Sequence, residues 1–225
     1  MRIISFEGPD GVGKSTQIRI LKDKLQDEGY KVYVEHFPRY DTPIGKLILS
    51  ILKGESEMPA FSSMQMLYVA DQLDFTSQIS ELKKSGYDYV LLDRFDLSTI
   101  VYYCSKFNDE CLLDLVKGWQ KGLVEPDLTV VLTNNEIISE KGLNKDLDVF
   151  EKDDDFMRTI KKMYLGISKI LNSRGRSITV INTDDNKYVT AKKIGKLIWK
   201  VIGDNYVWNE TRLYKCWMET KRGIL

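Results

Sequence analysis

Eight residues constrain this chain more than any others: Gly8-Pro-Asp-Gly-Val-Gly-Lys-Ser15. They read G-x-x-x-x-G-K-S, a loop that turns backbone N–H groups onto phosphate oxygens. Such a loop needs a strand before it and a helix after it. Arg2-Ile-Ile-Ser-Phe6 is a short apolar strand segment, and Thr16 to Glu28 puts Ile18, Leu21 and Leu25 on one helical face. Glycines at 8, 11 and 13 give the backbone its freedom, and the helix start adds partial positive charge. The pattern assigns Gly8, Asp10, Gly11, Val12, Gly13, Lys14, Ser15 and Thr16 to the phosphates of a nucleoside triphosphate. Lys14 would reach the β- and γ-phosphates, and the Ser15 hydroxyl would ligate Mg²⁺.

The rest of the chain must complete a sheet around that loop. Further strands are expected at Lys31–Glu35, Tyr89–Asp93, Pro126–Leu132 and Ser177–Ile181. Helical segments separate them: Thr42 to about Lys53, Phe61–Lys84, one from Asp96, one over about Asp109–Leu123, Asp153–Ser173 and Tyr188–Ile202. Asp96 or Ser98 is a candidate cap. Strands alternating with helices predict a three-layer α/β P-loop fold with a five-stranded parallel sheet flanked by helices. At 225 residues one domain accounts for the chain, taken as residues 1–203 with a candidate lid over about 136–152. Residues 204–225 form an aromatic C-terminal extension, with Trp208, Tyr214 and Trp217.

Composition removes several alternatives. The 33 basic and 33 acidic residues balance, so nothing draws the chain toward nucleic acid or a membrane surface. Cys104, Cys111 and Cys216 make neither an even disulfide framework nor a metal spacing, which points to a reducing cytoplasmic setting. No apolar run has membrane-span length, and the opening strand leaves no room for a signal peptide.

Strand ends locate further chemistry, because ligands of open parallel sheets gather there. Asp93, closing an apolar strand, suits water-mediated Mg²⁺ binding, or else pairs with Arg94 as a buried ion pair. Arg39 and Arg94, at two strand ends, would hold a second phosphate opposite the first. His36, the only histidine, reads as structural. Tyr68 and Gln72 share a helical face, as core and solvated residues or as part of a site. Lys141 and Lys145, flanking Gly142, are candidate phosphate-facing cations of the lid. A lone compact domain without an Asn-Lys-x-Asp signature favours a small-molecule kinase over a nucleotide switch.

The motifs together resemble the thymidylate kinase family. Phe6-Glu-Gly-Pro-Asp-Gly-Val-Gly-Lys-Ser-Thr-Gln17 is similar to its opening, and Phe37-Pro-Arg-Tyr40 with Pro43-Ile-Gly-Lys46 to its second signature. Leu67-Tyr-Val-Ala-Asp71 and Asp93-Arg-Phe-Asp-Leu-Ser-Thr99 with Tyr102 resemble the third and fourth. Pro126-Asp-Leu-Thr129, Asp155-Phe156 and Tyr164-Leu165 are further family-like steps, and the resemblance spans about residues 1–203. It implies transfer of the γ-phosphoryl of ATP to thymidine monophosphate, with Mg²⁺, in deoxynucleotide synthesis. Asp10 would face the acceptor's 3′-hydroxyl, and Arg39 and Arg94 its phosphate, with Tyr40 nearby. Tyr68 would stack on thymine, Thr99 would bond the base edge, and Tyr102 would lie against the 2′ position. Phe37, Gln72 and Ser98 complete the acceptor site implied by the resemblance, and family members are usually homodimers paired along the long helix.

Three departures stand out. Gln72 occupies a position where the family commonly has an arginine that binds a base carbonyl. Asp148-Val-Phe-Glu151 lacks the lid arginine of bacterial-type members, and Gly11 offers no basic substitute, which leaves Lys141 or Lys145 to supply that charge. The resemblance does not extend to the aromatic stretch beyond residue 203. Two further readings follow: a kinase of another or 5-modified pyrimidine deoxynucleotide, and a non-catalytic ATP-binding switch.

Overall fold

β1 (Arg2–Glu7) lies at the centre of the sheet because its side chains are apolar toward both faces. Ile4 and Phe6 point one way and Ile3 the other, the period-two alternation of a strand covered on both sides. The computed structural model describes residues 1–134 and 154–202. Within them, β1 pairs with β3 (Tyr89–Asp93) and β4 (Leu128–Thr133), while β2 (Val32–His36) and β5 (Ile178–Asn182) form the edges. The order is β2-β3-β1-β4-β5 and every pairing is parallel, as expected. β3 is buried throughout, whereas the edge strand β2 alternates.

Helices cover both faces. α1 (Lys14–Asp27) and α7 (Lys187–Ile202) pack over Ile4, Phe6, Leu91 and Val130 through Ile18, Leu21, Ile194 and Ile198. On the other face, α3 (Phe61–Lys84) sends Phe75 against Ile3, Val90 and Leu92. α4 (Asp96–Phe107) and α6 (Asp154–Ser173) enclose Val131 and Ile178. Burying one such side chain contributes roughly 1.5–3 kcal/mol, enough to hold a marginal helix in place. α2 (Pro43–Leu52) is capped by Thr42, whose Oγ1 accepts the Gly45 N–H at 3.1 Å, with Pro43 at its first turn. Gly45 sits so close to the Arg39 carbonyl that a Cβ would collide with it.

Two expectations are corrected. The helix anticipated over 109–123 splits into a 3₁₀ turn (Glu110–Leu112), capped by Asp109, and a short α5 (Leu113–Trp119). Gln120 then turns inward to donate to the Asp96 carbonyl at 2.7 Å. Neither Asp96 nor Ser98 caps α4: Asp96 accepts from Arg176 at 2.5 Å, and Ser98 donates to Glu7. The candidate lid with Lys141 and Lys145, and the 204–225 extension, lie outside the described residues.

Candidate active site

β1 connects through α1 to β2 on one side, while its neighbour β3 connects through α4 to β4 on the other, so the connections leave the carboxyl ends of β1 and β3 in opposite directions. A crevice opens at such a switch point. The loop from Gly8 to Gly13 crosses it. Gly8 takes φ +132°, and a Cβ there would run into the Leu132 carbonyl, so both conformation and space demand glycine. Lys14 is buried, and its Nζ donates to the carbonyls of Gly8 (3.0 Å) and Pro9 (2.8 Å) and lies 3.4 Å from Asp10. Its pKa is lowered to about 8, first by burial and then by the Arg94 charge, against the pull of Asp10 and Asp93.

Ser15 Oγ donates to Asp93 Oδ2 at 2.9 Å, joining the start of α1 to the end of β3. Burial acts most strongly on Asp93 and raises its pKa. The His36 bond, the Lys14 charge and the Ser15 bond together outweigh it and hold the carboxyl below its ordinary value. Its Oδ1 is buried without a partner among the described residues. An ionised carboxylate with one orphaned oxygen beside a hydroxyl suits a hydrated Mg²⁺. The alternative ion pair with Arg94 is not formed among the described residues, since the Arg94 guanidinium pairs with Asp10 instead. His36 Nδ1 stands 3.4 Å from Asp93 Oδ2 of the adjacent strand.

Arg94 has φ +65°, a conformation uncommon for a side-chain-bearing residue and characteristic of functional turns. The turn sends its guanidinium back over the phosphate loop. Nη2 donates to Asp10 Oδ1 at 2.6 Å, and Nη1 to Ser98 Oγ (3.2 Å) and the Tyr164 hydroxyl (3.4 Å). Asp10 thus lies between Lys14 and Arg94. Below them, Glu7 accepts the Phe95 N–H at 2.8 Å and the Ser98 hydroxyl at 2.5 Å. Ser98 has one proton, which goes to Glu7, so Tyr164, 2.9 Å away, donates to Ser98. Glu7 is fully enclosed, and burial raises its pKa to about 7 despite the Ser98 bond.

A cleft of about 210 Å³ opens from this cluster toward α3. Asp10, Phe37, Tyr40, Tyr68, Gln72, Arg94, Ser98, Thr99 and Tyr102 line it, nine of the ten residues anticipated for the acceptor. The tenth, Arg39, is not among its lining residues. Its Nε donates to Asp71 Oδ1 at 2.9 Å, and its Nη2 to the Asp71 carbonyl (2.9 Å) and Asp74 (2.6 Å). The Arg39 backbone N–H also donates to Asp71. Gln72 is buried rather than solvated, and its Nε2 donates to the Phe95 carbonyl (3.0 Å) and Thr99 Oγ1 (3.1 Å). Residues without an anticipated role also belong here. His36, Pro38, Leu52 and Gln65 line the cleft, and Glu7 and Tyr164 brace Arg94. Glu7 is legible afterwards as an acid closing a buried, largely apolar strand, a position that demands partners.

Residues 6–194 match the thymidylate kinase family model. The chain belongs to the thymidylate kinase family. A probable thymidylate kinase of Caldivirga maquilingensis is 34% identical over 167 residues, covering 72% of this chain and 78% of its own. The thymidylate kinase of an African swine fever virus isolate is 34% identical over 142 residues, 63% of this chain and 56% of the viral protein. The solved thymidylate kinase of Candida albicans superposes with a TM-score of 0.74 at 27% identity, over 88% of this chain and 91% of that one. Members of the family use ATP as phosphate donor and act on nucleotides, which matches a thymidylate kinase cleft that begins at a phosphate loop.

Proposed function

We propose that this chain transfers the γ-phosphoryl of ATP to thymidine monophosphate, giving ADP and thymidine diphosphate for deoxynucleotide synthesis. One observation carries the reading: Asp10 joins Lys14 of the phosphate loop to Arg94 of the cleft through contacts of 3.4 and 2.6 Å. Sites for two phosphates therefore adjoin. In-line transfer requires that proximity, because both reactants are anionic and the protein's task is to position them and neutralise charge.

In this reading the backbone from Gly8 to Thr16 cradles the ATP phosphates and Lys14 meets the β- and γ-oxygens. Ser15 and Asp93 would hold Mg²⁺, which neutralises phosphate charge when bound. Arg94 leaves Asp10 in part to hold the acceptor phosphate, and Asp10 becomes available to the 3′-hydroxyl. Tyr68 offers its face to the base, and Tyr102 lies beside the sugar. An acceptor phosphate oxygen attacks the γ-phosphorus, the bond to the β–γ bridging oxygen breaks, and that electron pair leaves on ADP. Lys141 and Lys145 are proposed to add charge from residues 136–152, within a kinase domain of residues 1–203. The 204–225 extension is proposed to be an addition to that domain.

Pairing of two copies along α3 belongs to the same proposal, since Met66 and Leu73 are exposed apolar residues on that helix. Sedimentation at micromolar concentration tests it, and a monomer there removes it. A cytoplasmic setting is also proposed, in keeping with the free thiols Cys104 and Cys111. Among the described residues no helix is long and apolar enough to cross a membrane.

ADP release from MgATP tests the activity. It should depend on added thymidine monophosphate, and ATP binding without such release would contradict the reading.

A further inference from the structure

Glu7 closes β1 with no exposed surface and is not among the residues that line the cleft. Both of its oxygens nevertheless serve the turn that carries Arg94. Oε1 accepts the Phe95 N–H at 2.8 Å, and Oε2 accepts the Ser98 hydroxyl at 2.5 Å. The Arg94 N–H itself donates to the Phe6 carbonyl at 2.9 Å. Two consecutive residues of β1 therefore pin the left-handed turn, a conformation that persists only where its surroundings enforce it. On the cleft side Arg94 faces the half-exposed Asp10, which an incoming phosphate can replace. Glu7 lies where no ligand reaches it, so it stays beneath the guanidinium when that exchange occurs.

The Ser98 bond has a direction. Ser98 has one proton, and Glu7 takes it, which leaves two lone pairs. Arg94 Nη1 donates to one at 3.2 Å and the Tyr164 hydroxyl to the other at 2.9 Å. The order depends on a carboxylate at position 7, because a carboxylate accepts with both oxygens. An amide there would accept with one atom and donate with the other. The Phe95 N–H can only donate, so it would claim the amide oxygen, and the amide nitrogen would donate to Ser98. Ser98 would then keep one lone pair for two donors, and the enclosed Tyr164 hydroxyl would compete with Arg94 for it. We propose that Glu7 is a positioning residue for phosphoryl transfer: through Ser98 its carboxylate secures the lone pair that holds Arg94 Nη1, and so aims the guanidinium at the phosphate of the monophosphate substrate. The inference rests on the thymidylate kinase reading above and deepens its account of the monophosphate site.

The test is a double-mutant cycle on the full chain at pH 8, above the Glu7 pKa of about 7, so that the carboxyl is ionised. Wild type, Glu7→Gln, Arg94→Ala and the double variant are compared for kcat/KM with thymidine monophosphate (dTMP) and for the KM of MgATP. Glu7→Gln should lower kcat/KM for dTMP by about tenfold or more, the loss expected for one hydrogen bond to a charged group. The KM of MgATP should stay within about threefold. In the Arg94→Ala background the same substitution should lower kcat/KM by less than about threefold, because its effect runs through Arg94. An unchanged kcat/KM in Glu7→Gln overturns the inference, as does a full loss repeated without Arg94, or an equal loss for both substrates. Each of those outcomes leaves the kinase reading standing, since the wild type still uses dTMP. Ser98→Ala cuts the link from its other end and enters the same cycle. If Glu7→Gln does not fold, wild-type kinetics in Ser98→Ala, or a loss that adds to that of Arg94→Ala, overturns the inference. A wild type that cannot use dTMP removes the kinase reading, and this inference with it.

Discussion

Arg39 and Arg94 look alike in sequence, each just past the end of a strand in the same sheet, but the fold uses them differently. Arg39 is enclosed and bound to Asp71 and Asp74 of α3, with its own backbone N–H on Asp71 as well. It fastens the β2–α2 loop to the long helix that forms the cleft wall. Arg94 sits in a left-handed turn on the cleft itself, held from below by Ser98 and Tyr164 and facing the half-exposed Asp10. The first arginine is committed to the scaffold, and the second holds a contact that a phosphate can replace. Charge at a strand end is therefore not enough to make a phosphate ligand; what matters is how many of its donors the scaffold already uses.

The largest effect should come at the donor end on which Arg94 depends. Lys14→Ala removes the cation proposed to meet the β- and γ-phosphates, and kcat should fall by about 10³-fold or more. Near-normal turnover would detach Lys14 from the chemistry. Arg39→Ala breaks an enclosed ion pair and should cost roughly 3–5 kcal/mol in denaturant unfolding. Its effect on substrate use should follow that instability. A stable Arg39→Ala variant with a much higher dTMP KM would reverse its side of the comparison.

Beneath Arg94, Glu7 links stability to pH. Its folded pKa of about 7 stands above the ordinary 4.5. The neutral carboxyl's contribution is thus fully present below about pH 4.5 and is lost as pH rises through about 7, amounting to about 3 kcal/mol. Unfolding of Glu7→Gln between pH 4.5 and 8 should lack that slope, and identical slopes in the two proteins would mean Glu7 is ionised throughout.

Arg94→Ala should lower kcat/KM for the monophosphate by about 100-fold, with ATP affinity changing little and stability less than in Arg39→Ala. A matched loss of ATP binding would place Arg94 at the donor instead. Thr42→Ala, which removes the α2 cap beside Arg39, should cost only about 1 kcal/mol by thermal denaturation, without altering KM. A change in KM would show that the Arg39 loop contributes to binding after all.

The fold was readable because local signals agreed with it. Phe61–Lys84 and Tyr89–Asp93 were expected with the boundaries observed, since Gly86 closes the apolar-faced helix and a nearly continuous apolar run ending in Asp93 defines the strand. The acceptor cleft was readable only in composition. Its residues were named from motifs, but the partner of each was set by elements far apart in sequence: Asp10 by Arg94, Asp93 by Ser15 and His36, Gln72 by the Phe95 carbonyl. Arg39 is the clearest case. Nothing near it in sequence announces Asp71 and Asp74, which come from a helix some thirty residues on. The expected caps at Asp96 and Ser98 failed for the same reason, since Arg176 and Glu7 compete for them across the fold.

The most direct measurement is product identification when the purified chain is given MgATP and dTMP. The account predicts one thymidine diphosphate for each ADP, with negligible ADP when dTMP is withheld. ADP formed without thymidine diphosphate, or no turnover by a folded protein that binds ATP, would contradict it.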